Sequence, residues 1–353
     1  MNPNAPTPPL HQRRPRYSGK NPRRFDQKYK ERSPEQYPET VARVIASGKT
    51  PAGSHRPIMV AEILEFLRPH PGEIAADCTL GFGGHAREIL ARLQPGGRLI
   101  GFDADPLELP RTEARLRALG FGPESFTAHR SNFAGLPKLL AAEGIVEGVD
   151  LILADLGVSS MQLDDPSRGF SVKAEGLLDM RMNPQRGQSA SAFLEKIGVE
   201  ELAALLTENA DEPHAETLAR ALAGKSFPTT LTLAAAIRKA LGSRQEEQIT
   251  LSTRRVFQAL RIAVNEEFTA LETFLRNLPG CLKAGGRVAI LTFHSGEDRR
   301  VKKALECGLR DGVYAEIARE VVRPSPEECR NNPRSTPAKL RWAVRKEAFV
   351  PEL

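Results

Sequence analysis

The sequence has little of what stabilises secreted or membrane-embedded chains. Only four of its 353 residues are cysteine, at positions 78, 281, 307 and 329. They are too few and too scattered for a disulfide framework, and no CxxC pair offers a zinc site. Long apolar runs are missing: the most apolar stretches, such as 149–154 and 288–291, fall far short of the roughly 20 residues that span a bilayer. The basic residues near the start are followed by no apolar stretch, so a secretory signal is not expected, and a reducing, cytoplasmic setting is. What is present points to a folded enzyme-sized body. The 40% apolar content excludes a wholly disordered chain, and the length allows two or three domains at about 100–200 residues each.

The net charge of +6 is unevenly spread. Residues 1–40 hold nine Lys and Arg against four Asp and Glu, so the remainder is nearly balanced. The same forty residues hold eight of the 27 prolines and three of the four tyrosines, with no sustained apolar periodicity. Such a segment buries too little surface to offset its ordering entropy, and residues 1–40 are expected to be a disordered basic tail. It reads equally as an electrostatic arm for nucleic acid or as a solvated extension.

From residue 41 the pattern is globular. Strands are expected at 73–79, 98–104, 125–129 and 149–156, alternating with helices at 58–67, 84–93, 106–119 and 134–143. That rhythm predicts an α/β fold with a parallel, doubly wound sheet. A polar loop follows at 157–183, then purely helical patterns at 191–197, 200–208, 214–223 and 231–241. A helix near 253–278 leads into the turn, strand and loop of CLKAGGRVAILTFHS. Ser295 and Asp298 suggest a capping box opening a helix to 307, and 339–346 alternates like an edge strand. The expected organisation is a discontinuous α/β domain, 41–159 and 251–353, interrupted by an all-helical insertion at 160–250.

The chemistry starts at the first strand, which ends Asp77-Cys78-Thr79-Leu80-Gly81-Phe82-Gly83-Gly84-His85 before a helix. Glycines there let backbone approach a ligand, and the helix start favours negative charge. Asp103, at the end of the next strand, is placed to accept hydrogen bonds from ribose hydroxyls. Gly81, Gly83 and Ala86 also satisfy the relaxed dinucleotide pattern, so an NAD(P)-dependent oxidoreductase competes on spacing alone. Asp155, ending a later strand, and Asn132-Phe133 favour S-adenosyl-L-methionine, by offering partners to an amine and to adenine.

A longer set of motifs carries a family resemblance. These are His55-Arg56-Pro57-Ile58-Met59-Val60-Ala61-Glu62, the glycine turn, Phe102-Asp103-Ala104-Asp105-Pro106, and Asp155-Leu156-Gly157-Val158-Ser159-Ser160. Next come Gln162-Leu163-Asp164-Asp165, Arg168-Gly169-Phe170-Ser171, Leu178-Asp179-Met180-Arg181-Met182 and Arg186-Gly187-Gln188-Ser189-Ala190. The last are Thr253 through Arg261, Asn265-Glu266, Phe293-His294-Ser295, Glu297-Asp298-Arg299 and Asn332-Pro333-Arg334 to Leu340-Arg341. In these stretches, over about 55–347, the chain resembles the ribosomal RNA small-subunit methyltransferase H family, which makes N4-methylcytidine in the decoding region of bacterial 16S rRNA. The resemblance implies a Rossmann-like class I S-adenosylmethionine-dependent methyltransferase fold with an inserted all-helical domain. It implies cofactor contacts at Gly83, Gly84, His85, Asp103, Phe133, Asp155 and Gln162. The implied partner is 16S rRNA or the small ribosomal subunit particle. The sequence departs from the family pattern at 249–252, at Gly296 and at 210–221, and the tail lies outside the family core.

Candidate roles follow. Asp155 is a candidate acceptor for the cytidine amine, and His294, before a helix, a candidate general base. Arg168, Arg181, Arg254 and Arg255 are candidate phosphate contacts, against the plainer readings of intraloop ion pairs and a solvated helix face. No metal site is expected. A non-catalytic RNA-binding protein working through the tail is the remaining alternative. If the tail adds salt-sensitive RNA affinity, deleting 1–40 should weaken binding at moderate salt and flatten the salt slope, while single-turnover methylation at saturating RNA stays unchanged. Filter binding across a salt series checks this, and an unchanged slope would make the tail a passive extension.

Overall fold

The computed structural model describes residues 57–347; the expected tail at 1–40 lies outside them. Alternation of side chains builds the fold. Along β2 (Arg98–Asp103), Ile100 and Phe102 face one apolar layer and Leu99 the other; along β4 (Val149–Asp155), Ile152 and Ala154 oppose Leu151 and Leu153. Strands buried on both faces need helices on both. One face is covered by α4 (Leu136–Ala142), α11 (Glu267–Cys281) and α12 (Ser295–Arg310). The other is covered by α1 (Val60–Leu67), α2 (Gly84–Leu93) and α3 (Leu109–Ala118).

With β1 (Ile74–Asp77), β3 (Phe126–Arg130), β5 (Leu282–Thr292), β6 (Tyr314–Ile317) and β7 (Lys339–Arg345), the sheet runs in the order β3-β2-β1-β4-β5-β7-β6. The strands from β3 to β5 pair in parallel, and β7 is antiparallel to both its neighbours. The strand order reverses between β1 and β4, and in such sheets the crevice beyond the strand C-termini at the reversal receives the ligand. The architecture is the Rossmann-like α/β class expected.

Four local expectations are corrected. The 339–346 segment is interior, and β6 forms the edge instead. Its alternation reflects ion pairing, because Lys339 and Arg341 both reach Asp298, at 3.1 and 2.7 Å, while Trp342 stacks on Phe66. The helix expected near 253–278 is two, α10 (Glu246–Val264) and α11, broken where Glu266 takes a left-handed φ of 51°. Asn265 enforces the break by bonding backbone groups of Met180 and Met182. Helix α12 is capped by His294, whose ring accepts the Glu297 N–H, so Ser295 is its first residue and not its cap. Within 157–183 lie a short helix, α5 (Ser160–Asp164), and a 3-10 turn at Pro166–Arg168.

The remaining helices are α6 (Ala190–Lys196), α7 (Val199–Ala210), α8 (Ala215–Leu222), α9 (Thr230–Leu241) and α13 (Pro326–Asn331). Helices α6 to α10, together with Phe170, Leu178 and Met180, surround an apolar cluster of their own. Helix α10 runs unbroken through position 250, so the expected division there falls inside a helix. Among the described residues, no helix is long and apolar enough to cross a membrane. Phe102 is wholly buried beside Asp103 in the central sheet. Phe102→Ala is expected to cost about 3–5 kcal/mol in urea unfolding, and a loss below ~1 kcal/mol would show that the sheet centre is not close-packed.

Candidate active site

Three parallel strands end in aspartate: β1 in Asp77, β2 in Asp103 and β4 in Asp155. The register places Asp77 opposite Leu153 and Gly101, so the three carboxyls gather at one end of the sheet, around the strand reversal. Asp77 is 1% exposed and accepts the Thr79 N–H at 3.1 Å. Asp103 takes the N–H groups of Gly81 and Asp105, each at 2.8 Å. The Asp155 N–H donates to the Thr79 hydroxyl at 2.6 Å. Burial pushes Asp77 and Asp103 up to about 6, against the pull of His85 on the first and of the two backbone N–H donors on the second. The Asp155 carboxyl keeps 28% of its surface open, yet the protein packed around it, with Glu297 adding like charge, pushes it up to about 7. No Lys or Arg of the described residues pairs with any of the three. A cationic ligand would be favoured there by Coulomb attraction, and the pyrophosphate of a dinucleotide opposed.

The glycine turn is shaped for close approach. Gly81 and Gly83 have φ of +48° and +72°, and a Cβ on Gly83 would meet the Thr112 methyl at 2.9 Å. Thr112 also donates its hydroxyl to the Gly81 carbonyl at 2.5 Å, fastening α3 to the turn. The first N–H groups of α2, from Gly84 onward, have no partner within the helix and suit an anionic group. His85 is 8% exposed; its Nε2 contacts the Ile58 carbonyl at 2.9 Å and its Nδ1 lies 3.7 Å from Asp155. Burial holds this imidazole below its usual range. Its side chain therefore braces the floor of the cleft, leaving its backbone for a ligand.

Other candidates divide by what already holds them. Phe133 packs edge-on against Phe274 and is half-buried. Both ends of the Gln162 amide are engaged: Nε2 donates to Asp105 at 2.9 Å and the oxygen accepts the Ser159 N–H. Arg168 is not an open cation. It is 9% exposed, paired with Asp105 at 2.7 Å, and donates to the carbonyls of Arg181 and Met182. Arg181 forks onto Asp179 but keeps a more open side chain, and Asp179 is held below the usual carboxylate range, burial notwithstanding, by that guanidinium. Arg254 is exposed and Arg255 half-exposed on α10, with no hydrogen bond or ion pair among the described residues.

His294 is held against its own helix. Its Nδ1 accepts the Glu297 N–H at 3.4 Å, and its buried Nε2 lies 3.1 Å from the Glu297 carboxylate without hydrogen-bond geometry. Glu297 is 3% exposed; burial would raise it, but the neighbouring His294, with Arg261 and the Phe293 N–H, holds it below its usual range. Glu267, His294 and Glu297 each bring a potential metal ligand within 4.8 Å of one another. Arg261, however, already forks onto Glu267 with both bonds at 2.8 Å and supplies positive charge in place of an ion. Gly296 is matched to this packing, because a Cβ there would strike the Phe268 ring at 2.6 Å. Sequence reasoning missed Asp105, Glu297 and Asn265 as individual site residues. For Asp105 and Asn265 the decisive partners lie far away in the chain, 63 residues on for Asp105 with Arg168, so no local pattern reveals them; Glu297 has its partners His294 and Phe293 close by, and its burial is what the sequence does not show.

Comparison with known proteins places this geometry. The MraW methylase family matches residues 52–346. The chain belongs to that family. A protein of Lachnoclostridium phytofermentans named ribosomal RNA small subunit methyltransferase H 1 is 49% identical over 346 residues, covering 96% of this chain and 94% of that one. A second, from Alkaliphilus metalliredigens and named ribosomal RNA small subunit methyltransferase H 2, is 50% identical and covers 95% of this methylase chain and 97% of its own. A relative from Acidobacterium capsulatum, ribosomal RNA small subunit methyltransferase H, is 39% identical and covers 83% of this chain and 98% of its own.

The raised acids of this methylase have a measurable consequence. An acid whose folded pKa is raised binds its proton more tightly in the native state, so its contribution to stability declines as pH climbs from about 4 through the folded value. The lowered His85 works in the opposite direction, so the test is a difference between proteins. Relative to wild type, Asp155→Asn should gain melting temperature steadily between about pH 4 and pH 7 and level off above about pH 7. A pH-independent difference in differential scanning fluorimetry would show that Asp155 is not raised.

Proposed function

We propose that this chain transfers a methyl group from S-adenosyl-L-methionine to the exocyclic N4 of a cytidine in the decoding region of 16S rRNA. The observation that carries this reading is the trio of strand-end carboxylates, lacking Lys or Arg partners, at the sheet reversal of a MraW-family chain. The residues fit the cofactor. Its ammonium and sulfonium complement the acid-rich crevice, and its carboxylate suits the N–H groups at Gly84 and His85, with Gly83, whose own N–H goes to the Leu80 carbonyl, leaving room for close approach. Asp103, with one lone pair left on each oxygen, would accept the ribose hydroxyls. Phe133 would flank the adenine, and Gln162 would hold the loop over it by way of Asp105. When bound, the cofactor supplies an electrophilic methyl on a positively charged sulfur.

The protein's own task is alignment and charge. The cytidine N4 lone pair is delocalised into the ring, so acceptors on its N–H groups raise its electron density and stabilise the positive charge that develops. Asp155, with the carbonyls of Leu156 and Gly157 after it, stands at the edge where that amine would sit. A carboxyl near 7 is ionised in part at neutral pH and is matched to taking up the proton that N4 releases. The base must be unpaired or flipped to reach this edge. The helical layer at 160–250, continued by α10, serves as the recognition domain in this reading, with Arg181, Arg254 and Arg255 facing RNA phosphates.

An NAD(P)-dependent oxidoreductase is disfavoured, because no Lys or Arg among the described residues pairs with the crevice acids, and unpaired carboxylates oppose a pyrophosphate. Calorimetry should show binding of S-adenosylmethionine and none of NAD. Incubation with small subunits lacking the modification should add one methyl at a cytidine, mapped by mass spectrometry. Asp155→Asn is expected to bind cofactor within a few-fold of wild type and to lose about 10²–10⁴ in single-turnover methylation. A variant with full activity, or one that merely fails to bind cofactor, would remove the catalytic role from Asp155. Tight cofactor binding with no transfer to any ribosomal substrate would favour a non-catalytic RNA-binding protein.

A further inference from the structure

The cleft and the helical layer are joined by one continuous chain of hydrogen bonds, part-buried except for the buried Arg168–Asp105 bond at its centre. The Gly81 N–H donates to Asp103 Oδ2 and the Asp105 N–H to Asp103 Oδ1, both at 2.8 Å. Asp105, 1% exposed, receives Arg168 Nη1 at 2.7 Å and Gln162 Nε2 at 2.9 Å on its Oδ2. The other arm of Arg168 donates to the carbonyls of Met182 at 2.8 Å and Arg181 at 3.1 Å. The Met182 N–H in turn donates to Asn265 Oδ1 at 2.7 Å, and Asn265 Nδ2 donates to the carbonyls of Met180 at 2.7 Å and Arg261 at 2.9 Å. The chain thus begins at the glycine turn and ends at the last turn of α10, the helix that carries Arg254 and Arg255.

The composition of this chain sets how it behaves. Arg168 and Asp105 are both buried, so parting them would leave an unpaired charge out of water on each side, which is strongly unfavourable. The β2–α3 turn and the loop at 159–182 are therefore bound to move as one unit. A group that hydrogen-bonds to Asp103 restrains one end of that unit, and RNA gripping α10 or the open face of Arg181 restrains the other. Restraint at either end lowers the cost of ordering the remainder, which makes the two binding events mutually supportive.

Building on the methyltransferase reading above, we propose that Arg168 is a positioning residue that couples cofactor occupancy at Asp103 to RNA binding by the helical layer, through Asp105 on one side and the Met182–Asn265 link on the other. Arg168 touches neither ligand in this arrangement. The coupling is reciprocal: the cofactor tightens RNA binding by the same factor as RNA tightens cofactor binding.

The test is a linkage measurement on the full chain. The affinity for small ribosomal subunits lacking the modification is measured by filter binding with and without saturating S-adenosylhomocysteine, in wild type, Arg168→Gln and Asn265→Ala. Wild type is expected to bind subunits about 10-fold more tightly with S-adenosylhomocysteine present. Both variants should reduce that factor to within ~2-fold of unity, while each retains measurable affinity for each ligand alone. Asn265→Ala cuts the chain at its far end, away from the buried ion pair, and carries the test if Arg168→Gln does not fold by circular dichroism. An unaltered coupling factor in the folded variants would overturn the proposal, as would a wild type that binds both ligands independently. A wild type that binds neither S-adenosylhomocysteine nor subunits would overturn the methyltransferase reading itself, and this coupling with it.

Discussion

The burial of three carboxylates at one end of a parallel sheet is the constraint on which the rest of this structure depends. Parallel strands that leave the same face of the core must end together, and here the ends of β1, β2 and β4 are Asp77, Asp103 and Asp155. Burial raises all three above the ordinary carboxylate range, with like charge from nearby acids adding to it. Such an arrangement is costly in an empty protein and favourable only where something positive or hydrogen-donating is bound. The glycine turn, the Thr112 bond to Gly81 and the buried ring of His85 all hold backbone close to those acids without bringing a Lys or Arg to them.

Around that centre, the cationic side chains are arranged to build structure at a distance. Arg168 neutralises Asp105, two residues after Asp103, and Arg261 neutralises Glu267 beside the His294–Glu297 pair. Each guanidinium is spent on a carboxylate outside the crevice, so the crevice keeps its negative potential while the loops that frame it stay charge-balanced. The same economy explains why His294 caps α12 instead of reaching inward. The helix it starts supplies Glu297, whose negative charge also bears on Asp155.

Much of the sheet was legible in the chain itself. The strands at 98–104 and 149–156 show short apolar runs closing in aspartate, and helix α2 follows its glycine turn with the boundaries its apolar spacing predicts. Segments that read wrongly did so because a distant partner overrode a local pattern. KLRWAVRK alternates like an edge strand, but Asp298 pairs with its Lys339 and Arg341 inside the sheet. The helical periodicity of 253–278 continues through Asn265, yet that side chain gives its hydrogen bonds to Met180 and Met182 and breaks the helix. Arg168 reads as a loop cation open to phosphate until Asp105, 63 residues away, is brought against it.

The amino-acid sequence by itself determined the class of fold, the glycine turn, the acids that close the strands and, through its motifs, the family, because each rests on residues adjacent in the chain or on their periodicity. Tertiary structure alone decided which charges remain open. The commitment of His294 to its own helix, the burial of Arg168, and the exposure of Arg254 depend on where the helical layer packs against the sheet. A side chain's availability is a property of its neighbours in space, and pairs such as Gln162 with Asp105 or Met182 with Asn265, separated by 57 and 83 residues, become neighbours only once the core has formed.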